Sequence, residues 1–326
     1  AQGQLEFSPA IDKYGAANYS VVLLDDGGTQ RGGRNVSAPR LFTLEVLFVN
    51  QAPSFALVAP SRTVLEDSGP LEEPGFAVDI LAGPAGIPRE DAQQVSFVLT
   101  QVAGNPGLLA APGPTIDANG TLRFTPAAHE FGAAAFSVVL WDSDGTPRGG
   151  VNRSAGASLE VVVRPVNDVP SFALDEAVTV CEAGADGRFV ELPFFASVIS
   201  PGPGNERAQE LSFDVAGCDG SSGLFWVAPR ISREGNLSFT LAPYANGNVT
   251  CNFSLHDDGG TADGGAHVSA VRALRIAVLP VNDPPALTLL RSVVHVFEHV
   301  PGRNPQRFEE AFVRAVAPGP RGADDE

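Results

Sequence analysis

The string Pro165 to Phe172, "PVNDVPSF", occurs in two further versions, "FVNQAPSF" around Val49 and "PVNDPPAL" around Val281. The three valines lie 117 and 115 residues apart. Self-similarity at a constant period marks a repeat architecture and constrains the fold more than any single motif does. Other landmarks keep the same spacing. "GQLEFSP" at Gly3 returns as "GTLRFTP" at Gly120 and "GNLSFTL" at Gly235, and "LLDDGGTQRGG" at Leu23 returns as "LWDSDGTPRGG" at Leu140 and "LHDDGGTADGG" at Leu255. Glu66, Glu182 and Glu298 are 116 apart. The chain therefore reads as the last part of one repeat (1–50), two whole repeats (51–168 and 169–283) and the first part of a fourth (284–326).

Within a repeat the segments are short and alternating, separated by Gly, Pro, Asn and Asp, which is a strand-and-turn pattern. In "GNVTCNFSLHDDGG", Val249, Cys251, Phe253 and Leu255 fall on one face, and Asn248, Thr250, Asn252 and Ser254 on the other. A period of two means a strand. The "DDGG" and "SDG" strings that follow have tight-turn composition. About seven strands fit each repeat, with no convincing helix, so the expected fold is all-β: tandem sandwiches of about 116 residues.

Charge excludes one class of partner. The chain carries 38 acidic against 21 basic residues, a formal −17, which argues against nucleic acid. No apolar run approaches the ~20 residues a membrane helix needs, so no membrane insertion is expected here. The chain contains no Met and opens inside a repeat, which reads as a segment of something longer. Seven of its 14 Asn begin Asn-X-Ser/Thr sequons, namely Asn18, Asn35, Asn119, Asn152, Asn236, Asn248 and Asn252. About one or two would arise by chance. The excess points to an extracellular glycoprotein with N-linked glycans; the other reading is that these are turn and strand-surface residues.

The four recurring strings, "VND.P.F" at the seam, "PGPGNERAQELSF", "GNLSFT.AP" and "DDGGTADGG", together resemble the tandem cadherin-like, immunoglobulin-like repeats of large bacterial adhesins and of algal or protist surface glycoproteins. The resemblance covers the whole chain. It implies β-sandwiches strung end to end as a rod, and no reaction. It also implies calcium at the seams, held by Glu66, Glu130, Asn167 and Asp168 from one repeat with Glu206, Asp257 and Asp258 from the next. The preceding seam offers Asp12, Asn50, Glu90, Asp91, Asp142 and Asp144. The chain departs from the family in carrying Pro165 and Pro280 in place of the Asp that leads the seam string, and Gln51 where the other seams have Asp168 and Asp283. The competing reading makes Asn167-Asp168 an Asx turn and "DDGG" a hairpin turn.

The resemblance places Cys218 and Cys251 on neighbouring strands and so suggests that they pair. Cys181 is then left over: it could pair with Cys218 instead, cross-link another chain, or sit as a small buried hydrophobe. The five histidines (129, 256, 267, 295 and 299) read as surface or turn residues, and Trp141 and Trp226 as core filler rather than sugar-stacking platforms. No converging nucleophile and base is apparent, so no enzymatic role is expected. Two functions remain. One is a structural segment that builds or coats a cell-surface fibre, glycocalyx or ciliary hair, associating with itself or with other surface glycoproteins. The other is the stalk of an adhesin that binds cells or carbohydrate.

Overall fold

The computed structural model describes residues 3–219, 223–295, 298, 300–302 and 312–317. His299 and most of 303–326 lie outside this set. The chain divides into two compact units, 1–165 and 166–326.

The first unit opens with a hairpin, β1 (Gly15–Val21) and β2 (Arg40–Val46), with Asn18 opposite Thr43. Then come β3 (Ser54–Leu57), β4 (Ser61–Leu65), β5 (Leu71–Glu73), β6 (Ala77–Leu81), a one-turn helix α1 (Pro88–Asp91), β7 (Val95–Gly104), β8 (Thr115–Ile116), β9 (Leu122–Phe124), β10 (Gly132–Asp142) and β11 (Ala157–Arg164). One sheet has the order β4-β11-β10-β7, and facing it are β5-β9-β8 and the pair β3-β6. Strand β3 pairs antiparallel with β6, whereas β4 pairs parallel with β11, so the first strand crosses from one sheet to the other. This is a seven-stranded Greek-key sandwich with its first and second strands each broken once.

The second unit repeats the plan with β12 (Ser171–Leu174), β13 (Ala177–Cys181), β14 (Arg188–Leu192), β15 (Ala196–Ser200), β16 (Ser212–Asp219), β17 (Phe225–Ile231), β18 (Leu237–Leu241), β19 (Gly247–His256) and β20 (Arg272–Leu279). Its sheets are β13-β20-β19-β16, β14-β18-β17 and β12-β15, with β13 again parallel to β20. A last pair, β21 (Ala286–Leu289) and β22 (Val313–Ala317), follows. The fold class is the all-β tandem sandwich expected from the alternation, with one correction, the one-turn α-helix at Pro88–Asp91 and the short 3-10 turns in the loops.

Period-two alternation fills both cores. Along β10, Ala134, Phe136 and Val138 point inward and pack in one cluster with Leu122 and Phe124 of β9 and Leu159 and Val161 of β11, and Leu140 is buried in the same phase. Along β19, Val249, Cys251, Phe253 and Leu255 do the same against Leu237, Phe239 and Leu274. Each buried Val, Leu or Phe among them stabilises its unit by roughly 1.5–3 kcal/mol. The same phase corrects the reading of the tryptophans. Trp141 falls between two inward residues and is 36% exposed, and Trp226 on β17 is 60% exposed, so neither fills a core. Ser254 breaks the alternation of β19, being buried beside His256, its hydroxyl 3.1 Å from the ring Nε2.

Candidate functional site

The inward phase of β10 that buries Leu140 continues to Asp142, the strand's last residue, and so sets a carboxylate at the rim of the core. Asp142 is only 9% exposed. Around it one asparagine organises the head of the repeat. Asn50, 4% exposed, donates from Nδ2 to Asp142 Oδ1 at 3.0 Å and to the Val151 carbonyl at 2.9 Å. Its Oδ1 accepts from Gln93 Nε2 at 2.8 Å, and that nitrogen also donates to Glu90 Oε2 at 2.7 Å. The Gln51 N–H donates to Glu90 Oε1 at 3.0 Å, and the Asp144 N–H to Asp142 Oδ1 at 3.0 Å.

The second unit reproduces this arrangement, except that among the described residues no bond from Gln209 to Glu206 matches the one from Gln93 to Glu90. Asn167 Nδ2 donates to Asp257 Oδ1 at 2.9 Å and to the Ala266 carbonyl at 2.8 Å, and Asn167 Oδ1 accepts from Gln209 Nε2 at 2.7 Å. The Asp168 N–H donates to Glu206 Oε1 at 2.8 Å, and the Gly259 N–H to Asp257 Oδ1 at 2.9 Å. Ser143 and Asp258 play matching parts, accepting the N–H of Gln94 and of Glu210.

The glycine pairs of the third landmark string belong to this arrangement. The first of each pair, Gly149 or Gly264, has a left-handed φ of +82° or +95°, which glycine adopts without cost. The second lies against the asparagine: a Cβ on Gly150 would come within 3.0 Å of the Asn50 Cβ, and one on Gly265 within 2.9 Å of the Asn167 Cβ. On the far side a Cβ on Gly83 would press on the Glu90 carboxyl at 2.6 Å. Burial raises the pKa of Glu90, with a smaller contribution from the Asp142 charge, and burial likewise raises that of Asp142.

The candidate calcium ligands divide as follows. Asn167, Asp168, Glu206 and Asp257 share one network, with Asp258 bonded beside it. Glu66 and Glu130 lie in the other unit, where Glu66 is 3% exposed and Glu130 accepts from Asn105 Nδ2 at 2.9 Å. Of the first seam's acids, Glu90, Asp142 and Asp144 gather around Asn50. Asp12 is reached through Gln51 Nε2 at 2.9 Å, and Asp91 instead accepts the Gly86 N–H. Asp12, Lys13, Tyr14, Phe48, Gln51 and Ile87 line a cavity of about 210 Å³ beside this network. A fixed cation already stands there: Arg89 lies 4.4 Å from the centre of the Phe48 ring and pairs with Asp144 at 3.1 Å.

Asn167 is therefore not an Asx-turn residue, since its side chain bridges to residues 90 and 99 positions away. The turn reading does hold for the aspartates, with Asp25, Asp142 and Asp257 each accepting the N–H two residues on. Among the described residues, Asp168, Glu206, Asp257 and Asp258 do not bring three ligand atoms within 4.8 Å of one another. Each head does keep an aspartate and a glutamine oxygen that are buried and accept no hydrogen bond among the described residues, Asp142 Oδ2 with Gln93 Oε1 and Asp257 Oδ2 with Gln209 Oε1. Oxygen acceptors without donors have the chemistry a hard cation takes, but among the described residues neither head gathers three carboxylate ligand atoms within 4.8 Å, so neither is a full calcium cage.

The glutamines were missed because "AQQ" and "AQE" look like ordinary loop sequence. Their spacing could have found them, since Gln93 and Gln209 are 116 residues apart. Of the sequons, Asn18, Asn119 and Asn248 are exposed, while Asn35, Asn152, Asn236 and Asn252 are half-buried. Cys218 of β16 is bonded to Cys251 of β19 across the register pair they form. Cys181 is exposed at the end of β13, which corrects the reading of it as a buried small hydrophobe.

No family model and no curated protein matches the chain. Among solved structures it is similar to mouse protocadherin-24 EC1-3, at 15% identity and a TM-score of 0.41 over 83% of this chain and 82% of that one. It is likewise similar to a protocadherin gammaB7 EC3-6 cis-dimer structure, at 13% identity and 0.41 over 89% and 62%, and to chicken VE-cadherin EC1-2, at 10% and 0.27 over 68% and 99%. The fold is cadherin-like. The split first strand and the sheet orders carry that statement, and nothing in these matches supports the bacterial or algal attribution.

Proposed function

We propose that the chain is a run of structural repeats from an extracellular glycoprotein, divided at 51, 169 and 284, whose work is mechanical rather than enzymatic: it builds or coats a surface fibre. The observation that carries this is the recurrence of one asparagine-centred network, with the same three bonds at Asn50 and at Asn167, in two repeats whose exposed residues differ. A buried polar network whose members have specific partners favours one arrangement over its competitors. Repeating it fixes form in each unit and adds no reactive group. Glu90 and Glu206 hold the peptide N–H that follows each asparagine, so the segment entering each sandwich is fixed in direction.

Calcium has a place in this reading as a reinforcement. Asp142 and Gln93 in one head, and Asp257 and Gln209 in the other, would hold it. A bound ion would supply positive charge to the Asp142 carboxylate, whose charged form burial disfavours. N-linked glycans shield the flanks, and the partners are further copies or other surface glycoproteins.

Electron microscopy of the purified chain tests the proposal. Uniform filaments support it, isolated flexible rods favour the adhesin stalk, and a compact globule overturns both.

A further inference from the structure

The turn that breaks the second strand differs between the repeats at one position. In the first it is Pro74-Gly75, with Gly75 at φ +71°; in the second it is Pro193-Phe194, with Phe194 at φ +54°. A left-handed residue after proline is a glycine position in a turn, and a bulky residue there is an outlier. Phe194 is also 76% exposed, so the core gains nothing from it. Neither backbone preference nor burial accounts for this ring.

Its neighbour does. The Phe194 N–H donates to Asn236 Oδ1 at 3.0 Å, which holds the side-chain amide of the sequon Asn236-Leu237-Ser238 beside the turn. Asn236 Nδ2, the atom that takes a sugar, donates to no group among the described residues. In the other repeat the residue aligned with Asn236 is Thr121. At that aligned position the first repeat has no acceptor asparagine, its sequon Asn119 lying two residues earlier, and there the strand-breaking turn carries glycine instead of the ring.

We infer that Phe194 is the platform on which the first sugar of an Asn236-linked glycan stacks. The inference rests on the extracellular reading above. Glycosylation joins Nδ2 to the anomeric carbon of the sugar; the amide gives up one proton, and the lipid diphosphate that carried the oligosaccharide leaves. The apolar face of that sugar then covers a ring that would otherwise stand in water, as aromatic faces do in sugar recognition. A residue unfavourable for the bare turn becomes favourable once the turn is glycosylated.

The test uses the full chain secreted from a glycosylating host. Ser238→Ala removes the acceptor signal without touching Asn236, and Phe194→Gly gives the turn the residue of the other repeat. With the glycan present, Phe194→Gly is expected to lower the melting temperature of the second unit by a few degrees. In the Ser238→Ala background the same change is expected to leave it unchanged or raise it, because glycine relieves the left-handed φ. A shift of the same sign and size in both backgrounds overturns the inference, as does an Asn236 peptide without sugar. If the Asn18, Asn119 and Asn248 peptides from the native source are also bare, the extracellular reading falls with it.

Discussion

Replacing Asn50 with alanine removes three hydrogen bonds at once from the head of the first sandwich. One goes to the Asp142 carboxylate, one to the Val151 carbonyl, and one comes from Gln93. A bond to a charged group is worth about 1.5–3 kcal/mol and a neutral one about 0.5–1.5. Two partners are partly compensated, since Asp142 Oδ1 keeps the Asp144 N–H and Gln93 keeps Glu90. The expected loss is therefore about 3 kcal/mol. The two tryptophans report it separately, because Trp141 belongs to the first unit and Trp226 to the second. In urea, Asn50→Ala should shift the Trp141 transition and leave that of Trp226 in place, while Asn167→Ala should do the reverse by a similar amount. A loss below about 1 kcal/mol in either variant, the size of a single ordinary hydrogen bond, would refute the claim that these networks hold the repeat heads together.

Three further outcomes follow from the same structure. The Asp117 carboxylate, gripped first by the Arg123 guanidinium and then by the Thr121 and Asn119 N–H groups, has its pKa lowered from 3.8 to about 2. A depressed folded-state pKa stabilises above the unfolded value and is lost as pH falls through the folded one, so the difference in urea midpoint between the native chain and Asp117→Asn should close between about pH 4 and pH 2. Reducing the Cys218–Cys251 bond, which spans 33 residues, should weaken the second unit by roughly 3–4 kcal/mol on the chain-entropy account, visible at Trp226 and silent at Trp141. Calcium should raise the melting temperature of both units, and Asp142→Asn should abolish the gain in the first unit alone; a chelator that leaves native transitions unmoved would remove calcium from the account.

The sandwich could be read from the sequence because β10 and β19 alternate in period two over most of their length, Ser254 being the exception in β19. The repeat heads could be read only in part. The asparagines and aspartates stood out as a recurring string, but what Asn167 does depends on Asp257 and Ala266, 90 and 99 residues away, and no local pattern shows a bond of that span. The outward tryptophans were misjudged for a related reason. Aromatic size favours burial on average, yet the phase of the strand decides, and Trp141 sits one residue out of phase with Leu140. Phe194 escaped notice because the sequence does not display that its backbone keeps the left-handed angle of Gly75 in the other repeat.

Glycopeptide mapping of the native protein under non-reducing conditions tests the central claim most directly. An extracellular structural segment predicts sugar on the exposed Asn18, Asn119 and Asn248 and a linked Cys218–Cys251 peptide. Bare asparagines together with free thiols at 218 and 251 would contradict it.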